Sequence, residues 1–179
     1  YVAIAFAING SSKVARYSGR IRLYTVPFTE IQELIRESCP EEYFTIIMRR
    51  FMMRLSNMLA HNTDCHALIT GESVAQVASQ TMLALGCTDA VAEFPVFRPC
   101  IGMDKEEIIK ISRKIDTFNI SIQPFEDCCT VFTPKHPKTR PQLPDVVEAE
   151  KALDIEGLCS RAYEGIKQIL ITADGVEYV

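Results

Sequence analysis

Apolar residues along the chain follow two rhythms. Short apolar runs at 1–8, 20–26, 66–70 and 91–97 read as strands, and longer segments between them repeat their apolar residues at three- and four-residue spacing. TEIQELIRE (29–37) and EEYFTIIMRRFMMRLSNMLA (41–60) fit helices, the second apolar enough to sit in a core. GESVAQVASQTMLALG (71–86) follows a strand directly, with Ser73 placed to cap a helix and Gly86 placed to end it. Asp104 and Glu107 have capping-box spacing, with Asp in place of the usual Ser or Thr, and predict a helix from about Lys105 to Ile115. Two helix-period patches near 145–152 and 155–168 precede a short apolar end. Strands alternating with helices in this way predict an α/β fold of βαβ units, a mostly parallel sheet with flanking helices.

From Ile120 to Pro144 the pattern breaks. Pro124, Pro134, Pro137, Pro141 and Pro144 forbid one continuous helix there, and the segment reads as a long extended loop. Loops of this length within a compact domain are usually functional or disordered.

Composition narrows the picture. A chain of 179 residues, 47% hydrophobic, fits a single domain spanning 1–179 with a sizeable core. Seven cysteines, an odd number without CxxC spacing, argue against a disulfide framework or a zinc ribbon and fit a reducing cytoplasm. The run YVAIAFAI lacks a basic flank and is too short to span a membrane, so it reads as a buried strand rather than an anchor or leader. Net charge is −4, so any claim of nucleic-acid binding must rest on local patches. There are three: Arg16, Arg20 and Arg22; Arg49, Arg50 and Arg54; and Lys135, His136, Lys138 and Arg140.

Four places could carry chemistry. TGES (70–73) puts a glycine turn at the carboxyl end of a strand, where α/β sheets bind ligands and helix N-termini favour phosphate; a plain connecting turn is the simpler reading. RRFMMR (49–54) offers an arginine fork for phosphate or, more simply, a solvated helix face. Cys128 and Cys129 are adjacent, near the cations Lys135 and Lys138 that favour a thiolate and beside Glu126 and Asp127 that oppose it, so a reactive thiol and an inert pair both stay open. Lys105, next to the predicted cap, could meet an anion or simply be solvated. His61, His66 and His136 have no metal-ligand spacing, so no metal site is expected.

In order along the chain, PEEYFTIIMRRFMMR, TGESVAQVASQT, RPCIGMDKEEII and FEDCCTVFTPKHPKTRP resemble the catalytic domain of the tRNA 4-thiouridine synthetase family, also called the thiamine-biosynthesis sulfurtransferase. The resemblance runs from about Val26 to Ile155. It implies a Rossmann-like adenine nucleotide α-hydrolase fold that uses ATP, with Mg2+, to adenylate a uracil carbonyl at tRNA position 8. Sulfur arriving as a persulfide from a cysteine desulfurase, directly or through a rhodanese-like carrier, then displaces AMP. Sulfur supply to the thiamine thiazole and a homodimer are further implications. By the same resemblance Arg49, Gly71 and Gln80 fall on nucleotide-contacting positions and Lys105 on the lysine linked with adenylation. Cys129, with Cys128 beside it, matches the catalytic cysteine, and the basic loop with Lys135, Lys138 and Arg140 is placed to hold tRNA.

The family's SGGxDS phosphate loop and its N-terminal THUMP region are not among these residues; NGSS (9–12) is a polar turn of another kind. A second expectation is therefore a catalytically degenerate domain of the same fold that binds a nucleotide or partner. Another pyrophosphatase-fold enzyme, of the amidotransferase-synthetase type, fits the paired cysteines less well.

Overall fold

The computed structural model describes residues 2–74, 80–124, 134 and 136–178, with the backbone alone at 2–8 and at Tyr178. In chain order the elements are α1 (Val2–Ser18), β1 (Ile21–Thr25), α2 (Thr29–Ser38), a 3-10 turn (Glu41–Tyr43), α3 (Phe44–Asn62) and β2 (Leu68–Ile69). There follow α4 (Met82–Asp89), β3 (Val96–Phe97), α5 (Lys105–Lys114), α6 (Phe118–Ser121), α7 (Leu143–Glu150), α8 (Ile155–Glu164), β4 (Lys167–Ile171) and β5 (Val176–Tyr178). The fold is α/β, and the chain forms two compact units: Tyr1–Pro27 with Asp104–Glu126 and Gly165–Val179, and Phe28–Met103 with Asp127–Glu164. No helix among the described residues is long and apolar enough to cross a membrane.

The first unit is a three-stranded antiparallel sheet, ordered β1-β4-β5, against which α1 packs. Ile21 and Leu23 stand opposite Ile171 and Ile169 on one face, and both isoleucines of β4 are buried. This sheet was not anticipated. The chain turns tightly at 172–175, where the Thr172 N–H donates to the Gly175 carbonyl at 2.9 Å, and so short a connection permits only antiparallel pairing. The apolar run at the start is helical rather than a strand. Alanine at 3, 5 and 7 favours helix, and periodicity cannot separate a strand from a helix in so short a run. NGSS consequently lies inside α1, which stops at Gly19 with φ +79, its N–H bonded to the Ala15 carbonyl at 2.8 Å. The predicted capping box opens α5: Asp104 accepts the N–H groups of Glu106 (2.8 Å) and Glu107 (3.1 Å), and Glu107 accepts the Asp104 N–H at 2.9 Å.

In the second unit α3 is the core element. Phe44, Ile46, Ile47, Met48, Phe51 and Leu55 are buried, and α2, α4, α7 and α8 all pack on this helix. Each fully buried apolar side chain of this size contributes about 1.5–3 kcal/mol. The parallel pairing predicted for the sheet is present in β2 and β3, with Leu68 opposite Val96 and Ile69 opposite Phe97. Between these strands residues 75–79, which Ser73 would cap, lie outside the described residues. Thr81, not Ser73, caps α4 by accepting the Ala84 N–H at 3.2 Å, and Gly86 lies inside the helix, which runs on to Asp89. Farther along, Pro144 falls in the first turn of α7, where a missing N–H costs nothing, so the proline-rich segment ends in a helix start.

Arg50 of α3 is 3% exposed and cannot remain there unpaired. Glu150, the last residue of α7 and equally buried, takes the Arg50 Nε at 2.8 Å and Nη2 at 2.9 Å, and takes both Nη atoms of Arg54 at 2.9 and 2.8 Å. Burial pushes the Glu150 carboxyl up, but hydrogen bonds from Arg54 and Arg50, with their charges, outweigh that and hold it below its ordinary value. A carboxylate with a lowered folded pKa stabilises the fold above its unfolded pKa, about 4.3, and that stabilisation disappears as pH falls through the folded value. Glu150→Ala should therefore lower stability by about 3–5 kcal/mol near pH 7, measured by urea unfolding, with the gap from wild type narrowing below pH ~4. An equal gap at both pH values would show that the loss comes from packing rather than charge.

Candidate functional site

The carboxyl ends of β2 and β3 lie side by side, and each runs into a charged residue. Past β2 comes Thr70-Gly71-Glu72-Ser73, and past β3 comes Arg98. Glu72 is 4% exposed. Its carboxylate pairs with Arg49 from α3 and accepts the Arg98 Nε at 2.6 Å and the Thr70 hydroxyl at 2.8 Å. Arg98 also reaches Asp89 at the end of α4. The loop is tied from behind, because the Ser73 hydroxyl donates to the Met103 carbonyl (2.8 Å) and the Val74 N–H to the Ile101 carbonyl (3.1 Å). Two guanidinium groups are thus held at the strand ends of a parallel pair, the position at which open α/β sheets receive ligands. Guanidinium groups in this position grip carboxylate or phosphate oxygens bidentately.

Three of the residues singled out from sequence gather here. Arg49 is part of the ion cluster; Gly71 is exposed at the turn, with nothing within 4 Å of where a Cβ would stand; and Gln80 follows the loop. The Ser73 backbone N–H donates to Gln80 Oε1 at 3.1 Å. A backbone N–H can only donate, so the Gln80 oxygen is engaged and its NH2 is the group left to meet a ligand. The other two arginines of RRFMMR are neither a free fork nor a solvated face, since both clamp Glu150. Sequence reasoning passed over Glu72, Arg98 and Glu150. For Glu72 the signal was present as an acid directly after the turn glycine of TGES, which a burial argument would have matched to the arginines of the core helix.

Of the remaining candidates, three are among the described residues. Lys105, exposed, opens α5 in the other compact unit. Lys138 is half-buried and bonded to Glu42: its Nζ donates to Oε1 at 3.2 Å and its N–H to the carbonyl at 3.0 Å, and that hydrogen bond and charge raise its pKa. Arg140 is exposed. Cys128, Cys129 and Lys135 lie outside the described residues. Among the described residues no group of three or more His, Cys, Asp or Glu is arranged to hold a metal ion.

The fold is of the α/β class, and its buried cation-carboxylate cluster stands at the strand edge where open α/β sheets receive ligands. The family model described as Thiamine biosynthesis protein (ThiI) matches residues 8–155, and the chain belongs to this family. It is similar to proteins described as probable tRNA sulfurtransferases. One, from Acetivibrio thermocellus, is 53% identical over 161 residues, covering 90% of this chain and 41% of the relative; another, from Clostridium perfringens, is 52% identical over 157 residues, covering 88% and 41%. The chain therefore spans about two fifths of the length of these relatives. A crystal structure of a 4-thiouridine synthetase–RNA complex with bound ATP superposes with a TM-score of 0.88 at 33% identity, over 96% of this chain and 45% of that one.

The described cysteines, all free, sort by environment. Burial raises the Cys39 thiol to about 11, with Glu150 adding to the shift, and burial likewise raises Cys87 and Cys159. Thiols in such surroundings are inert, because the thiolate is the reactive form. Alkylation of the native protein at pH ~8, followed by peptide mass spectrometry, should modify exposed Cys65 and leave Cys39, Cys87 and Cys159 unmodified until the protein is unfolded. Early labelling of any of those three would contradict the packing around α3 and α8.

Proposed function

We propose that this chain is the catalytic, ATP-pyrophosphatase-like portion of an ATP-dependent tRNA sulfurtransferase. It would activate a uridine carbonyl, that of tRNA position 8, by adenylation; the outer persulfide sulfur would attack that carbon, the oxygen would leave with AMP, and a second thiol would attack the remaining S–S bond, closing a disulfide and releasing 4-thiouridine. The observation that carries this reading is the pair of guanidinium groups, Arg49 and Arg98, fixed by Glu72 at the strand ends in a chain of the ThiI family. The relatives described as tRNA sulfurtransferases and the ATP- and RNA-bound neighbour support it.

ATP supplies the adenylyl group that turns the carbonyl oxygen into a leaving group, and Mg2+ would arrive with the triphosphate. The residues present suit such a ligand. Arg49 and Arg98 offer positive charge to phosphate oxygens, the open space at Gly71 lets a ligand approach the backbone, and the Gln80 NH2 donates to an acceptor. Glu72 is a positioning residue that keeps both guanidinium groups aimed before the ligand arrives. Lys105 is assigned the adenylation step, Cys129 sulfur transfer with Cys128 beside it, and Lys135, Lys138 and Arg140 contact with the tRNA backbone. A cysteine desulfurase or rhodanese-like protein would supply the persulfide, with thiamine thiazole as a second destination for the sulfur and a homodimer as the working form. Free thiols such as Cys65 and Cys100 suit a reducing cytoplasm.

With full-length protein, tRNA, ATP and a persulfide donor, Cys129→Ser should lower 4-thiouridine formation by more than about 100-fold, read by nucleoside mass spectrometry, while tRNA-dependent pyrophosphate release continues. Thiolation by the serine variant would remove the role given to Cys129, and a wild-type protein releasing no pyrophosphate would mark a binding module. Glu72→Gln should raise the KM for ATP roughly tenfold, as expected for loss of an aimed, charge-assisted contact worth about 1.5–3 kcal/mol, with Glu72→Asp recovering part of it. An unchanged KM in a folded variant would make Glu72 purely structural.

A further inference from the structure

Charge is divided unequally between the two units. The first carries nine lysines and arginines against seven acids, and the second ten against sixteen. Their use differs as well. In the second unit Arg49, Arg50, Arg54, Arg98 and Arg161 are all held by carboxylates, whereas in the first unit Lys13 is the one cation in a salt bridge among the described residues.

Most cations of the first unit are ordered along two helices, Lys13 bonded to Asp116 and the others without a salt bridge among the described residues. On α1, Lys13, Arg16 and Tyr17 have the spacing that places residues on one helix face, and on α5, Lys110, Arg113 and Lys114 repeat it. The ends of the two helices are drawn together. Lys13 bonds Asp116, two residues past α5, and the Arg16 charge also lowers the Asp116 pKa, after the larger effects of the Lys13 hydrogen bond and charge. Beside them Arg113, Asp116, Phe118 and Asn119 line a concavity of about 300 Å³, with the Arg113 guanidinium 4.6 Å from the centre of the Phe118 ring. Tyr17 is 67% exposed.

We propose that these two stripes form a surface for the phosphate backbone of RNA, with Lys13, Arg16, Lys110, Arg113 and Lys114 as phosphate contacts and Tyr17 as an aromatic face for an unpaired base. The choice of RNA rests on the thiotransferase reading above. Cations in the last turn of a helix also complement its dipole, which explains Arg16, Arg113 and Lys114 singly. That effect does not explain Lys110, Arg20 and Arg22, which lie outside those turns and are exposed without a carboxylate partner among the described residues. Exposed arginines and lysines beside aromatic rings match single-stranded or looped RNA, whose bases stack while its phosphates pair with cations.

The test is tRNA binding to the full-length protein across a salt series, comparing wild type with the double variant Arg16→Gln, Lys114→Gln. Both residues are exposed and neither is in a salt bridge, so thermal unfolding should be nearly unchanged. The expected result is a Kd roughly tenfold weaker at ~0.15 M salt and a slope of log K on log salt shallower by about 1.4–1.8, that is 0.7–0.9 per lost phosphate contact. Arg113→Gln, tested alone, should lower the slope by about half as much. An unchanged Kd and slope, with wild type still thiolating tRNA, overturns the surface and leaves the thiotransferase reading standing. A wild-type protein that neither binds nor thiolates tRNA overturns both.

Discussion

Helix α3 imposes the constraint on which the second unit depends. It is buried along most of its length and yet carries three arginines within two turns, so the chain must bring carboxylates to them. Glu150 answers Arg50 and Arg54, which fixes where α7 ends against the core; Glu72 answers Arg49, which fixes the loop after β2. Glu150 lies 100 residues from Arg50, and Glu72 lies past the end of α3, beyond β2. Each ion pair is therefore a tertiary tether as well as a means of neutralising charge. Removing one partner is costlier than the pair is worth, because the remaining charge cannot leave the interior.

That constraint also explains how a structural cluster can double as a site. Arg49 and Arg98 approach Glu72 from different elements, and with Asp89 on Arg98 two guanidinium groups face two carboxylates, which fixes the guanidinium N–H donors at the ends of β2 and β3. Donors fixed before a ligand arrives need no rearrangement when an anion binds, which is the condition under which electrostatic stabilisation is most effective.

How much of this was readable from sequence depended on the range of the interactions. The helices at 29–38 and 44–62, the strand at 21–25 and the capping box at Asp104 follow from neighbours within a few residues, and periodicity revealed them. The opening helix was misread because an eight-residue apolar run satisfies either element, and alanine content was the decisive signal. Ser73 also bonds far outside its own segment, its hydroxyl donating to the carbonyl of Met103, thirty residues away. The site divides along the same line. Arg49, Gly71 and Gln80 stood out by residue type and resemblance, whereas Glu72 and Arg98 acquire meaning only when β2 and β3 lie side by side.

A net charge of −4 does not announce a nucleic-acid binder, but a summed charge decides little, and the reason is one of range. At physiological salt an exposed charge is screened beyond about 8 Å, so a polyanion senses the cations within a few ångströms of its phosphates rather than the sum over the molecule. Much of the second unit's charge is neutralised internally, by pairs such as Arg50–Glu150 and Arg161–Glu30. In the first unit Arg16, Arg113 and Lys114 project into solvent without a carboxylate in salt-bridge range among the described residues. A protein can thus be acidic in sum and still present a cationic surface, provided its acids are tied to cations elsewhere in the fold.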